Sequence, residues 1–587
     1  MRLLPAFLAS TLALSASQAL AVSPAPTRGE KGMVVTSQHL ASAVGAEILK
    51  KGGNAIDAAV AVGYALAVTH PCCGNIGGGG FATIHLANGK DTFINFREKA
   101  PLAATETMYL DAKGEIIPKA SLEGYLSVGV PGSVLGLETM LTRYGTMSRA
   151  SVMEPAIKLA EEGFVLVAGD VDILDTSVKS FATQPNVASI FLNNGKPFKP
   201  GERLVQKDLA ATLKAISAGG PDAFYKGAIA DKVAAASAAN GGILTKKDFE
   251  TYHVTETEPV RCTYRGFTVT SSPPPSSGGT TICQILNIVE GYPIGQMGFN
   301  SAATINVMTE AMRHAYVDRN FQLGDPEFVK NPLDKLLSKD YAAAIRAKIT
   351  PGKASTSKEV QPGVEPHEGT QTTHYSVTDS AGNAVSVTYT INALFGAKVI
   401  AGDTGFFLND EMDDFTTKPG VANLFGLVQG KTNAIAPGKR PLSSMSPTII
   451  SRDGKTFMVL GSPGGSRIIT ITLETAMNVI DHGMNAQEAV DAPRFHHQWL
   501  PDTVYVEPFA ISADTRKALT DMGYSLTQQA PWGAAEVILL APEKPIPLVS
   551  AGQQASTSDS MVGGKMDPGA LYGANDNRKP AGAASGY

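Results

Sequence analysis

Four cysteines in 587 residues, with no CxxC spacing among them, are too few for a disulfide framework or a thiolate metal site, so a hydrophobic core has to carry the stability. Their spacing does not fix whether Cys262 pairs with Cys283. The chain also lacks any lysine and arginine block able to grip nucleic acid or an anionic membrane, and its formal charge is only −5 with a pI near 6.1. Beyond the first 21 residues no apolar run approaches a membrane span. No Gly-Lys-Ser/Thr follows the glycine run "GNIGGGGF" at 74–81, and that run comes after a helical pattern instead of before one, which argues against a phosphate loop. No HExxH helix accompanies the pair His496-His497. Neighbours in an extended chain point to opposite sides, so these two are expected to make structural hydrogen bonds and bind no metal. What survives these exclusions is a protein acting on a small molecule.

A chain that is 43% hydrophobic and 18% charged, with 59 glycines and 36 prolines, is globular and rich in turns. Its start, "MRLLPAFLASTLALSASQALA", has a positive charge at Arg2, an apolar run from Leu3 to Leu14 and a small-x-small end at Ala19-Leu20-Ala21. Residues 1–21 therefore read as a cleaved export signal, and the mature protein as periplasmic or secreted. "SQHLASAVGAEILKKGG" predicts a helix with Leu40, Val44 and Ile48 on one face, Ser37 as its cap and Gly52-Gly53 as its stop. The next pattern, "NAIDAAVAVGYALAVTHP", is apolar nearly all round and predicts a core helix. Residues 140–350 alternate helical patterns with turns such as "SSPPPSSGGT", without an internal repeat. From 352 to 371 the composition reads as an exposed, flexible segment.

That segment ends abruptly at "THYSVTD", which with "NAVSVTYT" flanks a short "SAG" and predicts a hairpin centred near Ala381. Antiparallel pairing about that centre sets Thr372 opposite Thr390, with Cβ atoms about 4.5–5.5 Å apart. From the hairpin alone this is either an ordinary cross-strand pair or two hydroxyls placed for chemistry. Downstream, "KTFMVLGSPGGSRIITITLETAMNVIDHG" predicts strand, glycine turn and helix, with Ile469, Leu473, Met477 and Ile480 as an apolar stripe and Gly483 as the stop. Gly464 and Gly465 then lie at or just before a helix start. They either make a tight turn or present bare N–H groups to a developing negative charge. The acidic knot "NDEMDDF" at 409–415 is flanked by Met412 and Phe415, which suggests partial burial and a positive partner such as a ligand ammonium.

With these residues laid out, the chain from about residue 30 to its end resembles the gamma-glutamyltransferase (gamma-glutamyltranspeptidase, glutathione hydrolase) family. The motifs "FREKAP", "TTHYSV", "NDEMDDF", "RPLSSMSPT", "GSPGGSRI" and "APRFHHQWLPD" occur here in the family's order. The resemblance implies an α/β fold of the four-layer αββα N-terminal-nucleophile hydrolase type, made as a precursor that cuts itself at Gln371–Thr372. Residues 22–371 would become a large subunit and 372–587 a small catalytic one, together one globular heterodimeric unit. It implies Thr372 as nucleophile, Thr390 as its orienting partner, and Gly464 and Gly465 as oxyanion-hole donors. Arg97, Ser443 and Ser444 would bind the α-carboxylate of a gamma-glutamyl group, and Asn392, Glu411 and Asp414 its α-ammonium. No metal or organic cofactor is implied, and the partners are glutathione-like donors and amine acceptors, with neither nucleic acid nor membrane.

Phe425, in "KPGVANLFGLVQG", stands where better-known bacterial relatives carry a tyrosine whose hydroxyl reaches the asparagine matched by Asn392. Phenylalanine cannot make that bond. Two alternatives are a self-processing amidase or β-lactam acylase with another acyl preference, and a catalytically dead secreted binding protein.

Overall fold

The computed structural model describes residues 23–360, 372–548 and 561–587. The export-signal reading of 1–21 and the residue Gln371 lie outside these. Two seven-stranded antiparallel sheets form the centre. One runs in the order Ala583–Gly586, Met33–Thr36, Thr373–Thr378, Ala384–Thr390, Gly79–His85, Asp91–Phe96, Thr255–Thr257. The other runs Thr27–Gly29, Leu571–Asn575, Glu536–Leu540, Lys455–Gly461, Thr448–Arg452, Phe267–Ser271, Val260–Tyr264. The helix Ala55–Thr69 packs on the outer face of the first sheet, and Gly278–Val289 and Ile468–Ile480 on the outer face of the second. The architecture is αββα.

Period-two alternation explains how the hairpin serves both layers. Tyr375, Val377, Val385, Val387 and Tyr389 join the apolar cluster around helix Ala55–Thr69. His374, Ser376, Ser386 and Thr388 occupy the alternate positions, toward the second sheet. There Ser376 Oγ donates to Glu536 O at 3.0 Å and Ser386 Oγ to Leu460 O at 3.0 Å, while the His374 ring lies between Thr388 Oγ1 (2.8 Å) and Ser376 Oγ (3.1 Å). The space between the sheets is thus part apolar, around Met33, Val35, Ile449, Val459 and Ile538, and part hydroxyl-lined. Thr372 and Thr390 continue the hydroxyl-lined face at the open end of the hairpin, whose register runs from Thr378↔Ala384 to Thr373↔Tyr389.

The glycine run does its work by close approach. A β-carbon on Gly78 would collide with the Thr390 carbonyl oxygen, one on Gly80 would lie 2.5 Å from Thr388 O, and one on Gly79 2.5 Å from Phe96 O. The strand Gly79–His85 can therefore lie flush against Ala384–Thr390 and hold its Thr390 end in place.

Three local expectations change. The helix His39–Lys50 is capped by Gln38, whose side chain accepts from the N–H groups of Leu40 and Ala41; Ser37 instead donates to Glu536, because it faces the buried second sheet. Helix Ile468–Ile480 is buried on every side and not along one stripe, since it is covered from both flanks. Within 352–360, Ser357–Val360 form a helical turn anchored by buried Ser357. That residue's N–H donates to Asp502 at 2.7 Å and its carbonyl accepts from Trp499 Nε1 at 3.1 Å. Polar composition conceals such a long-range anchor. All four cysteines are oxidised, as Cys72–Cys73 and Cys262–Cys283. Among the described residues no helix is long and apolar enough to cross a membrane.

Candidate active site

A small cavity opens where the hairpin ends, and Thr372, Thr390, Arg97 and Gly465 all line it. Thr372 Oγ1 and Thr390 Oγ1 are 3.2 Å apart, as the hairpin register requires. Thr390 Oγ1 also accepts the Asn392 N–H at 2.8 Å, which leaves its own proton available to Thr372. Asn392 sits just past the strand at φ 70°, with its amide donating to Asp410 O at 3.0 Å, and it too lines the cavity. Thr372 has φ 134°, a region that β-branched residues rarely occupy.

The charges next to this pair are dense. Arg97 is wholly buried, and its guanidinium pairs with Glu411 through Nη1 and with Asp414 through Nη2, with Glu98 at 3.4 Å and Pro441 O at 3.3 Å from Nε. The positive partner of the acidic knot is therefore a residue of the chain itself, and the residues expected to grip opposite ends of a donor hold one another. Burial would lower the Arg97 pKa, but the Glu411, Asp414 and Glu98 carboxylates outweigh it and raise it. Burial pushes the Glu98 carboxyl up to about 7 against the pull of Arg97, and Glu411 rises well above the usual range for the same reason. Among the described residues, no hydrogen-bond donor reaches Glu98 Oε1 or Glu411 Oε2. Sequence reasoning passed over Glu98, although it adjoins Arg97 in the same motif.

Ser443 and Ser444 line the same cavity on a loop held from beneath by residues 272–278. Ser277 donates to Ser443 O through N (2.8 Å) and Oγ (2.6 Å), and Ser272 and Ser276 donate to Met445 O at 2.9 and 2.6 Å. The serine-proline turn thus supports, from behind, the loop that carries Ser443 and Ser444. A second arginine also escaped the sequence reading. Arg319, in the last turn of helix Ala302–Gln322, is buried, lines the cavity and donates to Ser444 Oγ at 3.1 Å. A cation inside an otherwise well-buried helix is the signal that could have found it.

Gly465 lines the cavity at φ 58°, and Gly464 precedes it at φ 143°, both positions that glycine alone adopts easily. A β-carbon on Gly465 would run into the Phe425 ring. The Phe425 loop is pinned from two sides. Leu424 N donates to Asp413 at 2.8 Å, and Phe425 O accepts from Ser466 Oγ at 3.3 Å and from Gln498 Nε2 at 3.2 Å. Because the Gln498 amide NH2 donates to that loop, its Oε1 accepts from His496 Nε2 at 2.9 Å, so His496 meets Thr470 Oγ1 at 2.8 Å through an unprotonated Nδ1. The histidine pair is structural, and burial holds both rings well below the ordinary histidine range. His70, Cys72 and Cys73 lie close enough together for metal ligation, but both sulfurs are committed to their disulfide.

The arrangement can activate a threonine hydroxyl, hold a zwitterion beside it and offer a glycine turn to an oxyanion. A model of the family described as Gamma-glutamyltranspeptidase matches residues 41–563. The chain is 58% identical over 583 residues to a glutathione hydrolase proenzyme of Pseudomonas sp. (strain A14), covering 99% of both chains. It is 48% identical over 564 residues to the glutathione hydrolase proenzyme of Escherichia coli (strain K12), covering 96% of this chain and 93% of that one. The crystal structure of a cephalosporin acylase from Bacillus halodurans superposes with a TM-score of 0.82 at 27% identity, covering 98% of this chain and 99% of that chain. On this footing of motif, fold and likeness along nearly its whole length, the chain belongs to the gamma-glutamyltranspeptidase family.

Proposed function

We propose that the protein is an exported proenzyme that cuts itself between Gln371 and Thr372 and then cleaves the gamma-glutamyl amide bond of glutathione and related compounds. The observation that carries this reading is the hydroxyl pair Thr372 and Thr390 in one cavity with a buried arginine and its carboxylates. In the precursor, Thr372 Oγ attacks the carbonyl of residue 371, the C–N bond breaks as the amine takes the hydroxyl proton, and water hydrolyses the ester. Backbone strain of the kind found at φ 134° costs about 1–3 kcal/mol and favours that scission. The freed α-amino group, with an ordinary pKa of about 7.7–8.0, becomes the base that a weak threonine nucleophile needs.

In turnover the Thr372 alkoxide oxygen adds to the gamma-carbonyl of the donor, and the N–H groups at Gly464 and Gly465 meet the oxyanion, each worth about 2.7–4 kcal/mol in comparable sites. The amine leaves with the proton, which for glutathione gives cysteinylglycine. Water or an acceptor amine then resolves the glutamyl ester. Glu411, Asp414 and Asn392 take the donor ammonium, while Arg97, Ser443 and Ser444 take its carboxylate, so donor binding replaces the internal Arg97 pairs with pairs to the ligand. The buried Glu411 and Asp414 favour this reading over an acylase for dicarboxylic side chains that carry no ammonium.

The test is gel and mass analysis of the purified protein beside Thr372→Ala, with a chromogenic gamma-glutamyl anilide and a glutaryl anilide as donors. We expect two fragments in the parent, the smaller beginning at Thr372, with turnover of the glutamyl donor alone, and one uncut inactive chain in the variant. An intact, active parent overturns the mechanism, and preference for the glutaryl donor overturns the substrate class.

A further inference from the structure

The cavity holds two arginines in contrasting states. Arg97 is saturated by carboxylates. Arg319 is as deeply buried, and among the described residues no carboxylate lies in ion-pair contact with it. All its acceptors are neutral: Ser277 Oγ at 3.1 Å from Nε, Asn320 Oδ1 at 3.1 Å and Gln429 Oε1 at 2.8 Å from Nη1, and Ser444 Oγ at 3.1 Å from Nη2. A guanidinium has five N–H donors, so one on Nη2 is left without a described partner. Burial pulls the Arg319 pKa down to about 10, and Asp414 offsets this only partly. A buried cation with neutral neighbours is costly, and an anion delivered to the cavity relieves that cost.

The bond to Ser444 directs this charge at one end of a donor. Its hydroxyl oxygen has Arg319 as its described partner and accepts from it, so the hydroxyl proton is free to be given away. An acceptor entering the cavity, such as a carboxylate oxygen, receives it. A gamma-glutamyl head brings one cation and one anion. Glu411 and Asp414 can take the cation, and Arg97, exchanged from them to the anion, still has the Glu98 carboxylate beside it at 3.4 Å, so a second positive charge on the carboxylate side completes the balance.

We propose that Arg319 is a positioning residue for donor recognition, fixing the Ser444 hydroxyl as a donor to the substrate's α-carboxylate and supplying the unpaired positive charge that this carboxylate neutralises. The inference rests on the gamma-glutamyl reading above. A purely structural account also exists: a cation in the last turn of a helix interacts well with the helix dipole and here ties together the serine loop and the Gln429 segment. The two accounts separate on the donor's chemistry, because a structural defect does not depend on one substrate charge.

The experiment compares the parent with Arg319→Gln and Arg319→Lys, each first checked for the two fragments. Single-turnover acylation is followed with enzyme in excess, using gamma-glutamyl-p-nitroanilide and its α-carboxamide analogue, so that even slow donors give a rate and an apparent dissociation constant. For Arg319→Gln we expect binding of the carboxylate donor to weaken roughly 10- to 100-fold at nearly unchanged acylation rate, and binding of the carboxamide donor to change less than about threefold. Arg319→Lys, which keeps the charge but not the fork geometry, is expected to recover part of the loss for the carboxylate donor only. Equal losses on both donors, or no loss on either, overturn the proposal, as do two variants that never cut themselves. A parent that fails to release nitroaniline from the gamma-glutamyl donor counts instead against the proposed function.

Discussion

Replacing Thr390 with valine tests the centre of the mechanism with almost no change of shape. Thr390 Oγ1 has two partners, the Asn392 N–H at 2.8 Å and Thr372 Oγ1 at 3.2 Å, and both are buried. Valine strands the Asn392 N–H, at a cost of about 1–3 kcal/mol in stability. It also removes the group that orients Thr372. A neutral hydrogen bond contributes about 0.5–1.5 kcal/mol net and one to a group gaining charge about 1.5–3 kcal/mol, so the loss in kcat should lie between about 2-fold and about 150-fold. KM should hold, because neither oxygen is assigned to the glutamyl head. On the proposed mechanism the same oxygen would serve the self-cutting step, so the precursor should persist for longer by a similar factor. The assay is a time course of fragment appearance on gels, followed by steady-state kinetics of the processed fraction with gamma-glutamyl-p-nitroanilide. Thr390→Ser, which keeps the oxygen, should stay within a few-fold of the parent. Parental kcat in Thr390→Val, or a change in KM alone, would refute the orienting role.

Gly78→Ala puts a methyl group against the Thr390 carbonyl oxygen, and overpacking of this kind costs about 1–3 kcal/mol. Both the denaturation midpoint and the rate of self-cutting should fall, whereas Gly89→Ala, which meets no neighbour but strains a backbone at φ 84°, should cost some stability and leave processing intact. Breaking the Cys262–Cys283 bridge with Cys283→Ala reopens a loop closed over 21 residues; calorimetry should show a loss of about 3 kcal/mol, without loss of the cut. Burial holds His374 neutral in the fold with its pKa lowered to about 3, while the unfolded chain protonates it near 6.5. The unfolded state therefore binds more protons between those values, and this contribution to stability is lost as pH falls through that window. The parent should lose about 2 kcal/mol at pH 5 on this account, so urea melts of His374→Gln should close the gap to the parent by that amount between pH 7.5 and pH 5. A constant gap would show that His374 titrates normally.

The hairpin was legible because its information is local: alternation fixes the faces, the three-residue "SAG" fixes the centre, and the Thr372–Thr390 pairing follows by counting. The strand, glycine turn and buried helix from 455 to 480 were legible for the same reason. The Ser37 cap was missed because the Ser and Gln neighbours differ only in what lies across the fold, namely Glu536. Arg319 and Ser444 are 125 residues apart in sequence, and Ser277 and Ser443 are 166 apart. No periodicity links such pairs, so the support of the serine loop and the second cation of the site had to come from tertiary structure.

The mutual pairing of Arg97 with Glu411 and Asp414 carries a different lesson. Sequence motifs pointed to groups of the right sign for each end of a zwitterion, and the fold brings them together before any zwitterion arrives. Buried opposite charges that lack a ligand satisfy one another, since leaving either uncompensated costs several kcal/mol. The resulting site is preorganised in position but spent in charge. A donor that carries only a carboxylate can compete for Arg97, yet it strands Glu411 and Asp414. A donor that carries only an ammonium strands Arg97. On the proposed reading, only a molecule with both charges at the spacing of an α-amino acid would exchange each internal pair for an external one, and that exchange would make the site selective for a glutamyl head without requiring an open pocket of its shape.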